Sequence, residues 1–225
     1  MKIAVLGTGM TGIAIASKLL EKGHEVRMGS RSATNDAAVK WAAAAGAKAG
    51  HGTFADAAAF GEMVFNCTSG GASLEALRAA GAQHLSNKVL VDVANPLDFS
   101  KGMPPSLSVS NTDSLGEQIQ RNFPEAKVVK TLNTLNCYLM VDPASLPGEH
   151  SIFISGNDAA AKAAVLEVLT RDFGWKPGSV IDLGDISTAR GTESLLPVWV
   201  RLWGALGHPN FNFHVVVGSP PSPKA

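Results

Sequence analysis

The segment Gly7-Thr8-Gly9-Met10-Thr11-Gly12 constrains this chain more than any other. It follows the apolar run Ile3-Ala4-Val5-Leu6 directly. It leads into Ile13 to Lys22, where Ile13, Ile15, Ala16, Leu19 and Leu20 fall at helical spacing and Gly23 supplies the stop. A G-x-G-x-x-G alone is a weak signal, but between a strand and a helix it reads as a phosphate-binding turn. Gly7 permits the tight turn, Gly9 lets backbone approach a pyrophosphate, and Gly12 lets the helix pack against the strand. The helix start adds unpaired N–H groups and the positive end of its dipole.

The rest of the chain repeats this alternation. Glu25 to Met28 reads as a second strand and the Ala-rich stretch 36–46 as a second helix. Met63 to Cys67, Val89 to Val93 and Ala126 to Leu132 are further apolar runs, each ending in loop residues. Continuous apolar runs separated by helices are strands buried on both faces, the pattern of a parallel sheet. The expectation is an α/β fold in which residues 1–145 form a doubly wound, Rossmann-type parallel sheet. After Pro143 and Pro147-Gly148, residues 146–217 are expected to form a smaller C-terminal α/β substrate and dimerisation domain. Its strands are read at 151–155, 180–183 and 211–217, and its helices at 158–173 and 187–206. Residues 218–225, with three prolines, read as a flexible tail.

Charge narrows the classes of function. Nineteen Lys and Arg balance nineteen Asp and Glu, and only 17% of residues are charged against an ordinary ~25%. A nucleic-acid binder needs a basic surplus or stripe, so no nucleic-acid partner is expected. No apolar run approaches the ~18 residues of a membrane span, and Met1-Lys2-Ile3 has no signal-peptide layout, so no membrane partner and a cytoplasmic location are expected. Cys67 and Cys137 read as free buried thiols, and the six scattered histidines lack ligand spacing, so no metal is expected. A neutral surface permits self-association. Leu195, Leu196, Val198, Trp199, Val200, Leu202, Trp203 and Leu206 make the last helix apolar on more than one face, which requires burial in a core or in a homodimer interface. The aromatic group Trp199, Trp203, Phe211 and Phe213 is expected in the core, with ring binding the lesser alternative.

The end of the second strand discriminates between dinucleotides. An NAD site places an acid about 20 residues on, to hold the ribose 2′-hydroxyl. Here Arg31 lies 19 residues beyond Gly12, and no acid occupies 28–35. A guanidinium pairs with a 2′-phosphate, and Ser30 and Ser32 add hydroxyl donors. The expected cofactor is NADP(H). Residues at the carboxyl ends of later strands should line the same cleft: Thr68, Ser69 and Gly70, then Ala94, Asn95 and Pro96, then Asn133 and Thr134.

These segments resemble the NADP oxidoreductases that depend on coenzyme F420. The resemblance lies in Gly7 to Gly12, Gly23 to Val26, Gly29 to Ser32 and Lys130 to Thr134, and more loosely in Asp182-Leu183-Gly184, Ala189-Arg190 and Glu193. It implies hydride transfer between the nicotinamide and a deazaflavin, F420, with FMN or FAD as other possible second substrates, and a dimer. Cofactor-binding roles are then implied for Gly7, Thr8, Gly9, Met10, Thr11, Gly12, Ser30, Arg31, Ser32, Thr68, Ser69, Ala94, Asn95 and Pro96. Asn133 and Thr134 are implied for the small-molecule acceptor. Such chemistry resides in the two rings, so no catalytic side chain is expected. Two other readings stay open: a non-catalytic NADPH sensor, and a small hydroxy-acid or imine dehydrogenase. Gly70 to Glu75 lacks the Lys that hydroxy-acid enzymes present there.

Overall fold

The computed structural model describes residues 1–219, with strands and helices mostly alternating up to Leu206; 220–225 of the expected tail lie outside the described residues. The order begins β1 (Lys2–Leu6), α1 (Met10–Glu21), β2 (Glu25–Ser30), α2 (Asp36–Ala45), β3 (Ala49–Thr53), α3 (Phe54–Phe60) and β4 (Met63–Asn66). It continues with α4 (Gly70–Ala80), α5 (Ala82–Leu85), β5 (Val89–Asp92) and a small ribbon, β6 (Leu97–Asp98) with β7 (Ser106–Leu107). Then come α6 (Leu115–Asn122), β8 (Lys127–Thr131), α7 (Cys137–Val141), β9 (Ile152–Gly156), α8 (Ala159–Glu167), β10 (Val180–Gly184), α9 (Ala189–Ser194) and α10 (Leu196–Leu206).

Eight strands form one sheet in the order β10-β9-β8-β5-β4-β1-β2-β3. The six from β8 to β3 run parallel; β9 is antiparallel to β8, and β10 is parallel to β9. The chain winds outward in both directions from β1, so the strand order reverses between β1 and β4. Ligand crevices form outside the carboxyl ends at such a reversal. Period-two alternation fills both faces. Ile3 and Val5 pack on one side with Ile15, Leu19, Phe65 and Phe173, while Ala4 and Leu6 pack on the other with Leu77, Leu90 and Ile119. Each such aliphatic or aromatic side chain contributes roughly 1.5–3 kcal/mol on burial.

Ile152, Ile154, Val165 and Leu169 belong to the same apolar cluster as Ile3 and Val5, and β9 pairs with β8. The division drawn at residue 145 therefore marks the chain's path, and the sheet runs across it. The last expected helix is divided. A 3-10 turn (Ile186–Thr188) precedes α9, and α10 restarts after Leu195. Pro197, in the first turn of α10, has no N–H to carry the helical ladder across that point. Residues 211–217 are not a strand. One backbone bond, Ser151 N to Phe213 O at 2.8 Å, replaces a ladder, and Asn212 Nδ2 holds the segment through Ser151 O at 3.0 Å. Among the described residues no helix is long and apolar enough to cross a membrane.

Candidate functional site

The glycine turn adopts the geometry its sequence demands. Gly7 has φ +118°, a left-handed conformation that costs glycine least. A Cβ on Gly12 would stand 2.1 Å from Gly7 O, so the helix sits against the turn as closely as backbone allows. Gly9 has nothing within 4 Å of where its Cβ would be, and it faces open space. The α1 N-terminus has no side-chain cap and no acid in its first turn. By contrast, Asn35 caps α2, Thr53 caps α3 and Ser114 caps α6. Uncapped N–H groups beside open space fit a pyrophosphate.

A cavity of about 620 Å³ runs from this turn along the strand ends. Gly7, Thr8 and Gly9 line its middle, Ser30, Arg31, Ser32 and Asn35 one end, and Cys67, Thr68 and Ser69 the other. Arg31 is exposed there, while Ser30 is buried and donates its hydroxyl to Ser32 O. A second cavity, about 630 Å³, shares Cys67, Thr68 and Ser69 with the first. Its walls include Met10, Ala94, Asn95, Asn133, Tyr138, Trp199 and Trp203. Among the described residues, none of its lining side chains is charged. Trp199 stacks on Phe211 with centroids 5.4 Å apart and meets Trp203 at 5.7 Å. The two tryptophans expected in the core are thus a cavity wall.

The expected site residues sort by position. Met10 and Thr11 line the second cavity and not the first, and Gly12 is occupied with helix packing. Ala94, Asn95 and Asn133 line the second cavity, where Asn95 and Asn133 bond each other. Pro96 O accepts from Ser108 N at 2.8 Å, and Thr134 is buried; neither lines these two cavities. Arg190 and Glu193 stand away from both. Arg190 clamps Glu117 through Nε at 2.8 Å, and Glu193 caps α6 by accepting from Leu115 N at 2.8 Å and Gly116 N at 3.0 Å.

A buried polar chain that the sequence reading did not anticipate lies behind the junction of the two cavities. Asn66, Asp92 and Lys130 are register neighbours on β4, β5 and β8. All three are almost fully buried, as is Glu193. The Lys130 ammonium donates to Asp92 Oδ2 at 2.8 Å, to Glu193 Oε1 at 2.8 Å and to Ala94 O. Burial works to lower its pKa, but the Asp92 and Glu193 carboxylates outweigh burial and hold it above the ordinary lysine value. Asp92 Oδ1 accepts from Asn66 Nδ2 at 2.8 Å, and Asn66 Oδ1 accepts from Thr68 Oγ1 at 2.7 Å. The signal was present: a lysine inside the apolar run Val128 to Leu132. Burial, with the Asp92 charge second, pushes the neighbouring Cys67 thiol well up, which makes it a poor nucleophile.

Residues 2–96 match the family model for NADP oxidoreductases, coenzyme F420-dependent. A crystal structure from Arthrobacter sp. FB24, provisionally described as an F420-dependent NADP-reductase, is 56% identical, with a TM-score of 0.91 over 96% of this chain and 100% of that one. An imine reductase from Streptomyces aurantiacus shares the fold at 22% identity and TM-score 0.65, over 92% of this chain and 63% of that one. A reductive aminase from Aspergillus terreus, solved with NADPH4, cyclohexanone and allyl amine, shares it at 19% identity and TM-score 0.65, over 92% and 62%. No curated protein matches this chain.

Proposed function

This chain belongs to the family of NADP oxidoreductases described as coenzyme F420-dependent, and from that premise we propose that it transfers hydride between NADPH and a deazaflavin or flavin-type ring. The observation that carries the reading is the shared wall. The groove that begins at Arg31 opens, at Cys67, Thr68 and Ser69, into an uncharged cavity with aromatic sides. Arg31, with Ser32 beside it, would hold the 2′-phosphate, and the α1 N-terminus the pyrophosphate. NADPH, when bound, supplies the hydride.

The chain's own contribution is to hold two rings together and to keep water out. Leu135, Met140, Leu196, Trp199 and Trp203 make an apolar enclosure suited to a flat acceptor. The uncharged lining suits the ring of F420 and leaves its acidic tail to lie outside. Burial raises both cysteine thiols in that lining, which disfavours a nucleophilic role for either. Turnover of NADPH against F420, FMN and FAD, followed by absorbance, tests the reading. Tight NADPH binding with no turnover on any of them would support the sensor reading instead.

Val198, Trp203 and Leu206 leave the apolar face of α10 substantially exposed, which supports self-association as a homodimer. Sedimentation of the wild type against Val198→Asp tests this; a monomeric wild type overturns it. The free thiols Cys67 and Cys137 support a cytoplasmic, reducing location.

A further inference from the structure

We propose that Thr68 meets the nicotinamide end of the cofactor as a hydrogen-bond acceptor, its polarity set from buried Lys130 through Asp92 and Asn66, and that it takes the carboxamide N–H. The inference rests on the reading that the groove from Arg31 to Ser69 holds NADPH.

Each bond along the buried chain fixes the polarity of the next. An ammonium has three N–H donors. Those of Lys130 are taken by Asp92, Glu193 and Ala94 O. Asp92 has only donors around it: Lys130 on Oδ2, and on Oδ1 the Asn66 amide at 2.8 Å and Ala94 N at 3.3 Å. A carboxylate surrounded in this way dictates how the Asn66 amide lies. Its nitrogen must face Asp92, because the reverse would set two oxygens against each other in a fully buried place. Its Nδ2 also reaches Ser73 Oγ at 3.1 Å. Asn66 Oδ1 is thereby turned toward Thr68.

Thr68 has a single hydroxyl proton, and Asn66 Oδ1 lies 2.7 Å from Oγ1 to receive it. Ser73 Oγ stands 2.9 Å away and can also donate to Ser69 O at 3.2 Å. Thr68 is therefore left with no proton to offer the cleft, and it retains a lone pair. It lines both cavities at their junction. A ribose hydroxyl can turn either way and needs no partner of fixed polarity. An amide NH₂ only donates, so an oxygen that only accepts discriminates in its favour.

The cost of the arrangement supports a purpose beyond folding. A buried ionic group adds little stability over apolar residues of similar volume. Here Lys130, Asp92 and Glu193 are all buried, and Asn66, Asp92 and Lys130 occupy neighbouring register positions on central strands, so the chain of bonds is as rigid as the sheet.

The test is a binding measurement, by titration of protein and ligand fluorescence. The ligands are NADPH and its reduced 3-acetylpyridine analogue, in which a methyl replaces the amide NH₂. Wild type should prefer NADPH by about three- to tenfold, the span of one hydrogen bond. Thr68→Val should abolish the preference by weakening NADPH alone, and Thr68→Ser should keep it. Asn66→Leu, with its fold checked by circular dichroism, should reduce the preference in the same way; if it does not fold, the Thr68 pair decides. Equal affinities in wild type, a preference that survives Thr68→Val, or equal weakening of both ligands overturns the proposal. Failure of wild type to bind NADPH at all would instead overturn the cofactor reading beneath it.

Discussion

Asn95 and Asn133 hold each other across the floor of the second cavity: Asn95 Nδ2 donates to Asn133 O at 2.8 Å, and Asn133 Nδ2 donates to Asn95 Oδ1 at 2.9 Å. The pair ties the loop after β5 to the loop after β8. The two substitutions are not equivalent. Asn133→Ala removes one bond, because its backbone carbonyl still accepts. Asn95→Ala removes both and frees two loops that face the cleft. Asn95→Ala should therefore lower kcat/KM by about tenfold or more, and Asn133→Ala by several-fold at most. Steady-state kinetics on both variants checks the ranking.

Arg31 should govern the choice of dinucleotide. It is the only basic side chain among those lining the first cavity in the described residues. A charge-assisted bond to phosphate is worth roughly 1.5–3 kcal/mol. Arg31→Ala should thus weaken NADPH by about ten- to a hundredfold and leave NADH nearly unchanged. Fluorescence titration with both cofactors reads this directly, and equal losses for the two would contradict it.

The glycines of the turn should separate folding from binding. Gly9→Ala meets open space and should leave the melting temperature close to wild type, while its methyl obstructs the pyrophosphate and lowers NADPH affinity. Gly12→Ala drives a methyl to 2.1 Å from Gly7 O and should lower the melting temperature by several degrees. Calorimetry and NADPH titration on the two variants should give opposite patterns.

Asp172 should register in the acid limb of stability. Burial works to raise its pKa, but bonds from Arg171 and from His24 at 3.0 Å outweigh it and hold the carboxyl below its ordinary value. A carboxyl depressed in the folded state stabilises it fully above the unfolded value of about 3.9, and that contribution is lost as pH falls through the folded value. The melting-temperature advantage of wild type over Asp172→Asn should be present at about pH 5 and shrink below about pH 4. An advantage that grows between about pH 5 and about pH 3 would refute the assignment.

Local chemistry was legible in the sequence, and distant pairing was not. Gly7 to Gly12 could be read because a turn, a helix start and an apolar run stand side by side. Ile3 to Leu6, Met63 to Asn66 and Val89 to Asp92 could be read because strands buried on both faces leave an unbroken apolar run. The edge strand β3 was missed: Ala49-Gly50-His51-Gly52-Thr53 has almost no apolar content, and it holds its place only by pairing with β2. The antiparallel return of β9 also escaped, since strand direction depends on where the chain re-enters the sheet. Asn66, Asp92 and Lys130 are 64 positions apart from first to last and meet only through register. Trp199 and Trp203 read as core because an apolar helix face looks the same whether it meets protein or a cavity.

The first cavity draws on residues 7–79 only, whereas one wall of the second comes from α10 and Pro209, far along the chain. On the proposed assignment of the two cavities, reductant handling and acceptor choice are separable traits. A lineage that exchanged residues 196–209 would acquire a new oxidant while inheriting its phosphate turn and Arg31 intact, and a mutant library confined to that stretch would explore acceptors without disturbing the half that supplies the electrons.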